Sequence, residues 1–156
     1  MPLQAICTLP LFRGLGTEEV QILARSFVRE AFERGQTLFA QGDPAKRLYI
    51  LIKGRVGIRF KPHDGDVVAV ADIGPGGVFG WSAALSRPAY TSSAVATEAS
   101  EVISISGEKL RHLCEAYPKT GVVILERLAE VIAERLNSTH AKVVDLLQEG
   151  VRTRRR

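Results

Sequence analysis

From about residue 27 to residue 106 the sequence is a succession of short runs rich in valine, isoleucine, phenylalanine and tyrosine, each soon cut off by glycine, proline or aspartate. Runs of this length suit pleated strands, whose side chains alternate between two faces. They fall at 36–40, 48–53, 56–60, 67–73, 93–97 and 102–106. The breakers are Arg34-Gly35, Gly42-Asp43-Pro44, Lys53-Gly54, Asp64-Gly65-Asp66 and Gly74-Pro75-Gly76-Gly77. Gly54 and Gly65 are predicted to take positive φ in tight turns. Many short strands at this spacing predict an antiparallel sandwich, jelly roll or barrel.

Helical patterns flank this block. Thr17 is a good N-cap, Glu18 and Glu19 complement the helix dipole, and Val20, Leu23 and Ala24 share one face of a short helix ending near Ser26. The leader Leu9-Pro10-Leu11-Phe12 offers apolar side chains to pin that helix to a sheet. After the strands, Ser106 can cap a helix over 108–116, and Pro118 marks the break behind it. From Lys119 the chain reads as one helix to about Glu149, roughly 45 Å long, with Gly150 as terminator. The expected layout is one domain over 1–150: leader and helix to about 26, β-roll over 27–106, terminal helices over 107–149. A basic tail, 151–156, follows. Along the last helix Leu125, Leu128 and Ile132 fit an a/d seam, and Leu136, Thr139, Val143 and Leu146 fit another, offset by a four-residue stutter. A helix this long projects past so small a body, and its seam then calls for a partner, so a parallel homodimer is expected.

Composition excludes several classes. Lys and Arg number 21 against 17 Asp and Glu, but Arg152, Arg154, Arg155 and Arg156 carry the whole excess. The body is balanced, unlike a domain that grips nucleic acid, so only the tail offers weak binding to phosphate backbones. Cys7 and Cys114 stand far apart with no paired spacing, which fits two reduced thiols and neither a disulfide framework nor a zinc ribbon. No apolar run approaches a membrane span and the first residues lack the pattern of a secretion signal, so a soluble cytoplasmic protein is expected. His63, His112 and His140 fall in a turn and on two different helices, too dispersed for a metal-dependent jelly-roll enzyme. With no nucleophile elbow, Walker loop or paired acids either, no catalysis is expected.

Three glycine-anchored stretches narrow the reading: 39–43 (Phe-Ala-Gln-Gly-Asp), 48–56 (Leu-Tyr-Ile-Leu-Ile-Lys-Gly-Arg-Val) and 76–80 (Gly-Gly-Val-Phe-Gly). In this order, with the helices behind them, they resemble the cyclic-nucleotide-binding domain of the catabolite-activator (Crp/Fnr) superfamily, from about Leu9 to Gln148. The resemblance implies a mainly β fold with flanking α: a double-stranded β-helix, or jelly roll, followed by a long C-terminal helix. It also implies a phosphate-binding cassette between two strands. Gly76, Gly77 and Gly80 let the backbone approach a ligand closely. Residues 81–85 read as one short helix whose free N–H groups face an anion, and Ser82 and Thr91 add hydroxyls.

The departures from the family pattern are specific. Trp81 stands where the family has the glutamate that binds the ribose hydroxyl, and Tyr90 where it has the arginine that pairs with the cyclic phosphate. Neither supplies its counterpart's chemistry. A charge-assisted bond contributes about 1.5–3 kcal/mol, so losing both weakens cyclic AMP by roughly two to four orders of magnitude. Arg87, three residues before Tyr90, is a candidate replacement. The two rings either close an empty pocket or line one for a flatter, less charged ligand. Thr139 matches the family's base-contacting threonine, while His140 departs from the neighbouring serine. The candidate ligand-binding residues are therefore Phe79, Gly80, Trp81, Ser82, Arg87, Tyr90, Thr91, Ser92 and Thr139. The ligand would be a cyclic nucleotide or other small anion. The expected role is a stand-alone, non-catalytic sensory module, lacking the helix-turn-helix of the activators and signalling to a separate effector protein. A ligand-free dimerisation or docking module, or a DNA-associated regulator acting through the arginine tail, are the rivals.

Overall fold

A computed structural model describes the backbone of residues 9–154; on the long final helix, side chains are described through Arg135 and for Asn137. Cys7 and the side chains of Leu136, Thr139, Val143, Leu146 and the terminal arginines therefore lie outside the described residues. Among the described residues eight strands form two four-stranded sheets: β1 (Val28–Phe32), β2 (Thr37–Phe39), β3 (Arg47–Lys53), β4 (Val56–Phe60), β5 (Val68–Ile73), β6 (Val78–Phe79), β7 (Ser93–Ala96) and β8 (Ser100–Ser106). One sheet runs β1-β8-β3-β6 and the other β2-β7-β4-β5, every pairing antiparallel. This is the expected jelly roll. Every predicted run is present with its ends within two residues of expectation, and 56–60 matches at both ends. β1 and β6 had no strand signal: Arg29 and Glu30 interrupt the apolar pattern of the first, and the second is two residues long.

β3 explains where the core lies. Its residues Leu48, Tyr49, Ile50 and Leu51 are all buried, because each face of the strand meets a different layer. Leu48 and Ile50 join Val78, Ile103 and Ile105 under the helices, while Tyr49 and Leu51 join Val56, Phe79 and Val102 between the sheets. Between β3 and β4, Gly54 takes φ +99°, as predicted; a Cβ there would lie 2.4 Å from the Ala99 carbonyl oxygen. Gly65 differs from expectation: it has no positive φ, and its turn keeps to ordinary backbone space beside Pro62.

The helices close one side of the roll. α1 (Thr17–Ser26) begins one residue earlier than a Thr17 cap would place it; Gly16 is the cap, and the Glu19 carboxylate accepts its N–H at 3.3 Å. Ahead of it the 3₁₀ turn Pro10–Phe12 buries Leu11 and Phe12, and Phe12 meets Phe27 edge to face at 5.5 Å. α2 (Gly107–Ala116) is capped as predicted, the Ser106 hydroxyl accepting from the Lys109 N–H. α3 runs Pro118–Arg154. Pro118 opens it, since a first-turn N–H has no partner to lose. Gly150 does not end it: glycine permits a helix stop without compelling one, at a helical cost of about 1 kcal/mol relative to alanine.

α3 turns Ile124 and Leu128 into the core, both at most 2% exposed, with Val131 packed beside them. Leu128 thus departs from the expected seam, since the protein's own β-roll already covers it. Val122 and Leu125 face outward, 55% and 48% exposed. Among the described residues no helix is long and apolar enough to cross a membrane.

Candidate functional site

The loop between β6 and β7 is the predicted cassette. Gly80 leaves β6 with φ +73°, where a Cβ would crowd the Arg47 carbonyl at 3.0 Å and the Tyr49 ring at 3.1 Å. The chain then makes tight turns, not the regular short helix expected over 81–85. The Leu85 N–H donates to the Trp81 carbonyl at 3.0 Å and the Arg87 N–H to the Ser82 carbonyl at 2.9 Å, and Ser86 takes φ 57°. A left-handed residue and a five-residue hydrogen-bonded closure end the helical turn after one cycle, so little helix dipole accumulates. The base of the loop is braced by α2. The Arg111 guanidinium donates to the Ala83 carbonyl at 3.1 Å, and Gly107 packs so closely that a Cβ would lie 2.3 Å from the same oxygen.

Tyr90 does not reach toward a ligand. The Gly42 N–H donates to its carbonyl and its own N–H to the Asp43 carbonyl, both at 2.9 Å, which stitch it to the turn before β3. Its ring enters the roll and stacks on Phe39, centroids 3.8 Å apart. The stack continues through Phe39 and Phe79 to Tyr49, with centroids 6.3 and 5.2 Å apart. The Tyr90 hydroxyl donates to the Arg47 carbonyl at 2.6 Å and accepts from the Arg47 N–H at 3.0 Å. Burial pushes its phenol pKa up, and pushes that of Tyr49 up to about 12. Tyr90→Phe would leave both backbone groups of Arg47 without this partner, at an expected cost of about 1–3 kcal/mol. Chemical denaturation should read that loss with an unchanged slope on denaturant. A variant as stable as the parent would mean the phenol is solvated, not locked.

Trp81 forms the other wall, with Arg135 of α3 above it. The guanidinium carbon lies 5.1 Å from the indole centroid, and Nη2 donates to the Val78 carbonyl at 3.4 Å. Burial lowers the Arg135 pKa, and among the described residues no carboxylate pairs with it. Below these groups is a cavity of about 50 Å³ lined by Phe79, Gly80, Trp81, Ser82, Tyr90, Thr91, Ser92 and Arg135, with Phe39 and Ile58 at its floor. That volume holds a few waters; small-molecule pockets ordinarily start near 300 Å³.

The structure therefore brings together seven of the nine candidate ligand residues: Phe79, Gly80, Trp81, Ser82, Tyr90, Thr91 and Ser92. Arg87 is not among them; it is exposed, and among the described residues its backbone N–H is bonded while its side chain has no partner. The Thr139 side chain lies outside the described residues. Phe39, Ile58 and Arg135 were missed. The signal for Arg135 was available: positions 124, 128, 131 and 135 fall on one helical face, and the last of them is charged. Among the described residues no cluster of three or more His, Cys, Asp or Glu side chains is placed to hold a metal.

Comparison with known proteins agrees with this architecture. The sequence model of the cyclic nucleotide-binding domain matches residues 29–117. The cyclic AMP receptor protein of Thermus thermophilus is 32% identical over 146 residues, which cover 93% of this chain and 65% of that protein. The CRP-like cAMP-activated global transcriptional regulator of Mycobacterium tuberculosis is 31% identical over 137 residues, 88% of this chain and 59% of that protein. The chain thus spans about three-fifths of the length of these relatives. A cyclic nucleotide-binding domain from Methylobacillus flagellatus superimposes with a TM-score of 0.85 at 22% identity, covering 92% of this chain and 83% of that one, a likeness of fold. With its two-sheet roll, its glycine-built cassette and its long terminal helix, the chain belongs to the cyclic nucleotide-binding domain family.

Proposed function

We propose that this chain is a non-catalytic regulatory domain whose cassette takes a small anionic or nucleotide-like ligand, binds cyclic AMP weakly, and passes occupancy to α3. The observation that supports this best is the Arg135–Trp81 contact: a half-buried cation on the long helix rests against the cassette wall, 5.1 Å from the indole centroid. A ligand that draws the guanidinium changes how α3 sits on the roll, which is what biasing a two-state equilibrium requires. Weak cyclic AMP binding follows from the missing acid and base at positions 81 and 90. Signalling to a separate effector protein, in a cytoplasmic setting, belongs to the same proposal, as does a parallel homodimer. For that dimer the outward residues Val122, Leu125 and Ala129, with Ile132 half-buried against the core behind them, offer a three-four spacing, which the sequence continues through positions 136, 139, 143 and 146 without a stutter.

The Phe39–Tyr90 stack favours a second reading, a roll filled with its own rings and used as a ligand-free docking or dimerisation module. A thermal-shift series separates the two. Cyclic AMP, cyclic GMP and small anions are titrated at constant ionic strength, and a bound ligand raises the midpoint as RT ln(1 + [L]/Kd). A saturable rise with at least one of them supports the regulatory reading. A flat response to all of them at millimolar concentration supports the ligand-free one.

A further inference from the structure

We infer that the ligand of this cassette is a small oxyanion, no larger than inorganic phosphate, and that Arg135 of α3 supplies its cationic contact. The inference rests on the regulatory reading above and names its ligand class. Three observations carry it. The cavity, at about 50 Å³, has room for an ion of a few heavy atoms and none for a nucleoside. Deeper in the roll the Phe39–Tyr90 stack fills the interior, its phenol hydroxyl held by both the carbonyl and the N–H of Arg47.

The lining has the chemistry of an anion cradle. Ser82, Thr91 and Ser92 line the cavity, and none of their hydroxyls bonds to another described residue. The Trp81 and Ser82 N–H groups likewise donate to no described residue, and no acidic side chain lines the cavity.

The third observation is the state of Arg135. A guanidinium has five N–H donors. Here one of them reaches a carbonyl at a long 3.4 Å, and among the described residues the charge meets the face of an indole and no carboxylate. Arg135 also lines a wider, more open groove together with Gly76, Gly77 and Glu134, so this residue borders both that groove and the inner cavity. A short swing from the Val78 carbonyl toward the hydroxyls would exchange one weak bond for charge-assisted ones at about twice the strength of neutral pairs. Planar, multi-donor recognition of an oxyanion is what separates arginine from lysine in such a role.

The test is a calorimetric titration of the full chain with inorganic phosphate, sulfate, 5′-AMP and cyclic AMP, at constant ionic strength in chloride. Expected are saturable phosphate binding, at least tenfold weaker binding in Arg135→Met with partial recovery in Arg135→Lys, and cyclic AMP no tighter than phosphate. Saturable cyclic AMP binding with no response to phosphate or sulfate, unchanged in Arg135→Met, overturns this inference and leaves the regulatory reading standing. No heat from any of the four ligands overturns both. Should Arg135→Met fail to fold by circular dichroism, the double variant Ser82→Ala, Thr91→Val keeps the guanidinium and removes two of the three hydroxyls. Phosphate affinity reduced at least fivefold there supports the cradle, and affinity unchanged overturns it.

Discussion

Replacing Trp81 with glutamate and Tyr90 with arginine in one chain should tighten cyclic AMP binding by about two to four orders of magnitude. Two charge-assisted contacts at about 1.5–3 kcal/mol each set that range. The structure adds what happens before ligand arrives. A carboxylate at position 81 would stand close to Arg135, whose guanidinium carbon is 5.1 Å from the present indole centroid, and the pair would form a partly buried ion pair in place of a cation–π contact. An arginine at position 90 would empty the place on Phe39 and free the Arg47 backbone groups, so the unliganded double variant should unfold at a lower midpoint than the parent. Cyclic AMP should then restore that midpoint, because the ligand fills the vacated space. Calorimetry on the parent, both single variants and the double variant gives a complete cycle, in which the singles should fall short of half the combined gain if the two groups act as a unit. A folded double variant that binds cyclic AMP within tenfold of the parent would show that the remaining aromatic fill, Phe39 and Phe79, excludes the nucleotide.

The sequence carried most of the fold because its signals are local. The 48–53 run is apolar at nearly every position, as a strand buried on both faces must be, and glycines punctuate it where the backbone needs them. What escaped is what tertiary context decides. β1 is a strand because β8 pairs with it from Val28 to Phe32, despite its central charges. The cassette turn closes after one cycle because Ser86 adopts a left-handed conformation that nothing in its type announces. At the site, the residue identities at 81 and 90 were legible, but the direction of the phenol was not. It turns inward because Phe39, fifty-one positions away in sequence, offers a face and Arg47 offers both halves of a hydrogen-bond pair. Arg135 went unrecognised as a site residue because helical periodicity says which face it shares and not which loop that face meets.

The second large effect is expected at Leu128, and it decides how α3 is used. At 1% exposure, within the cluster of Leu11, Phe12, Leu23 and Ile124, truncation of Leu128 to alanine should cost about 2–5 kcal/mol. Urea unfolding should show a lower midpoint at an unchanged slope. Leu125→Glu, from a side chain 48% exposed, should leave the fold of the single chain nearly untouched and act on self-association, read by sedimentation. The contrast is sharp because the two leucines lie three residues apart on a helix of 3.6 residues per turn, about 60° around its axis. A rotation of that size exchanges their roles. If Leu128→Ala leaves stability intact and instead dissociates a dimer, α3 presents Leu128 to a partner in solution, and its inward face is not the one carrying Arg135. The same rotation would lift the guanidinium off Trp81. Stability at Leu128 and anion contact at Arg135 are thus two readings of one helix orientation, and a result at either position constrains the other.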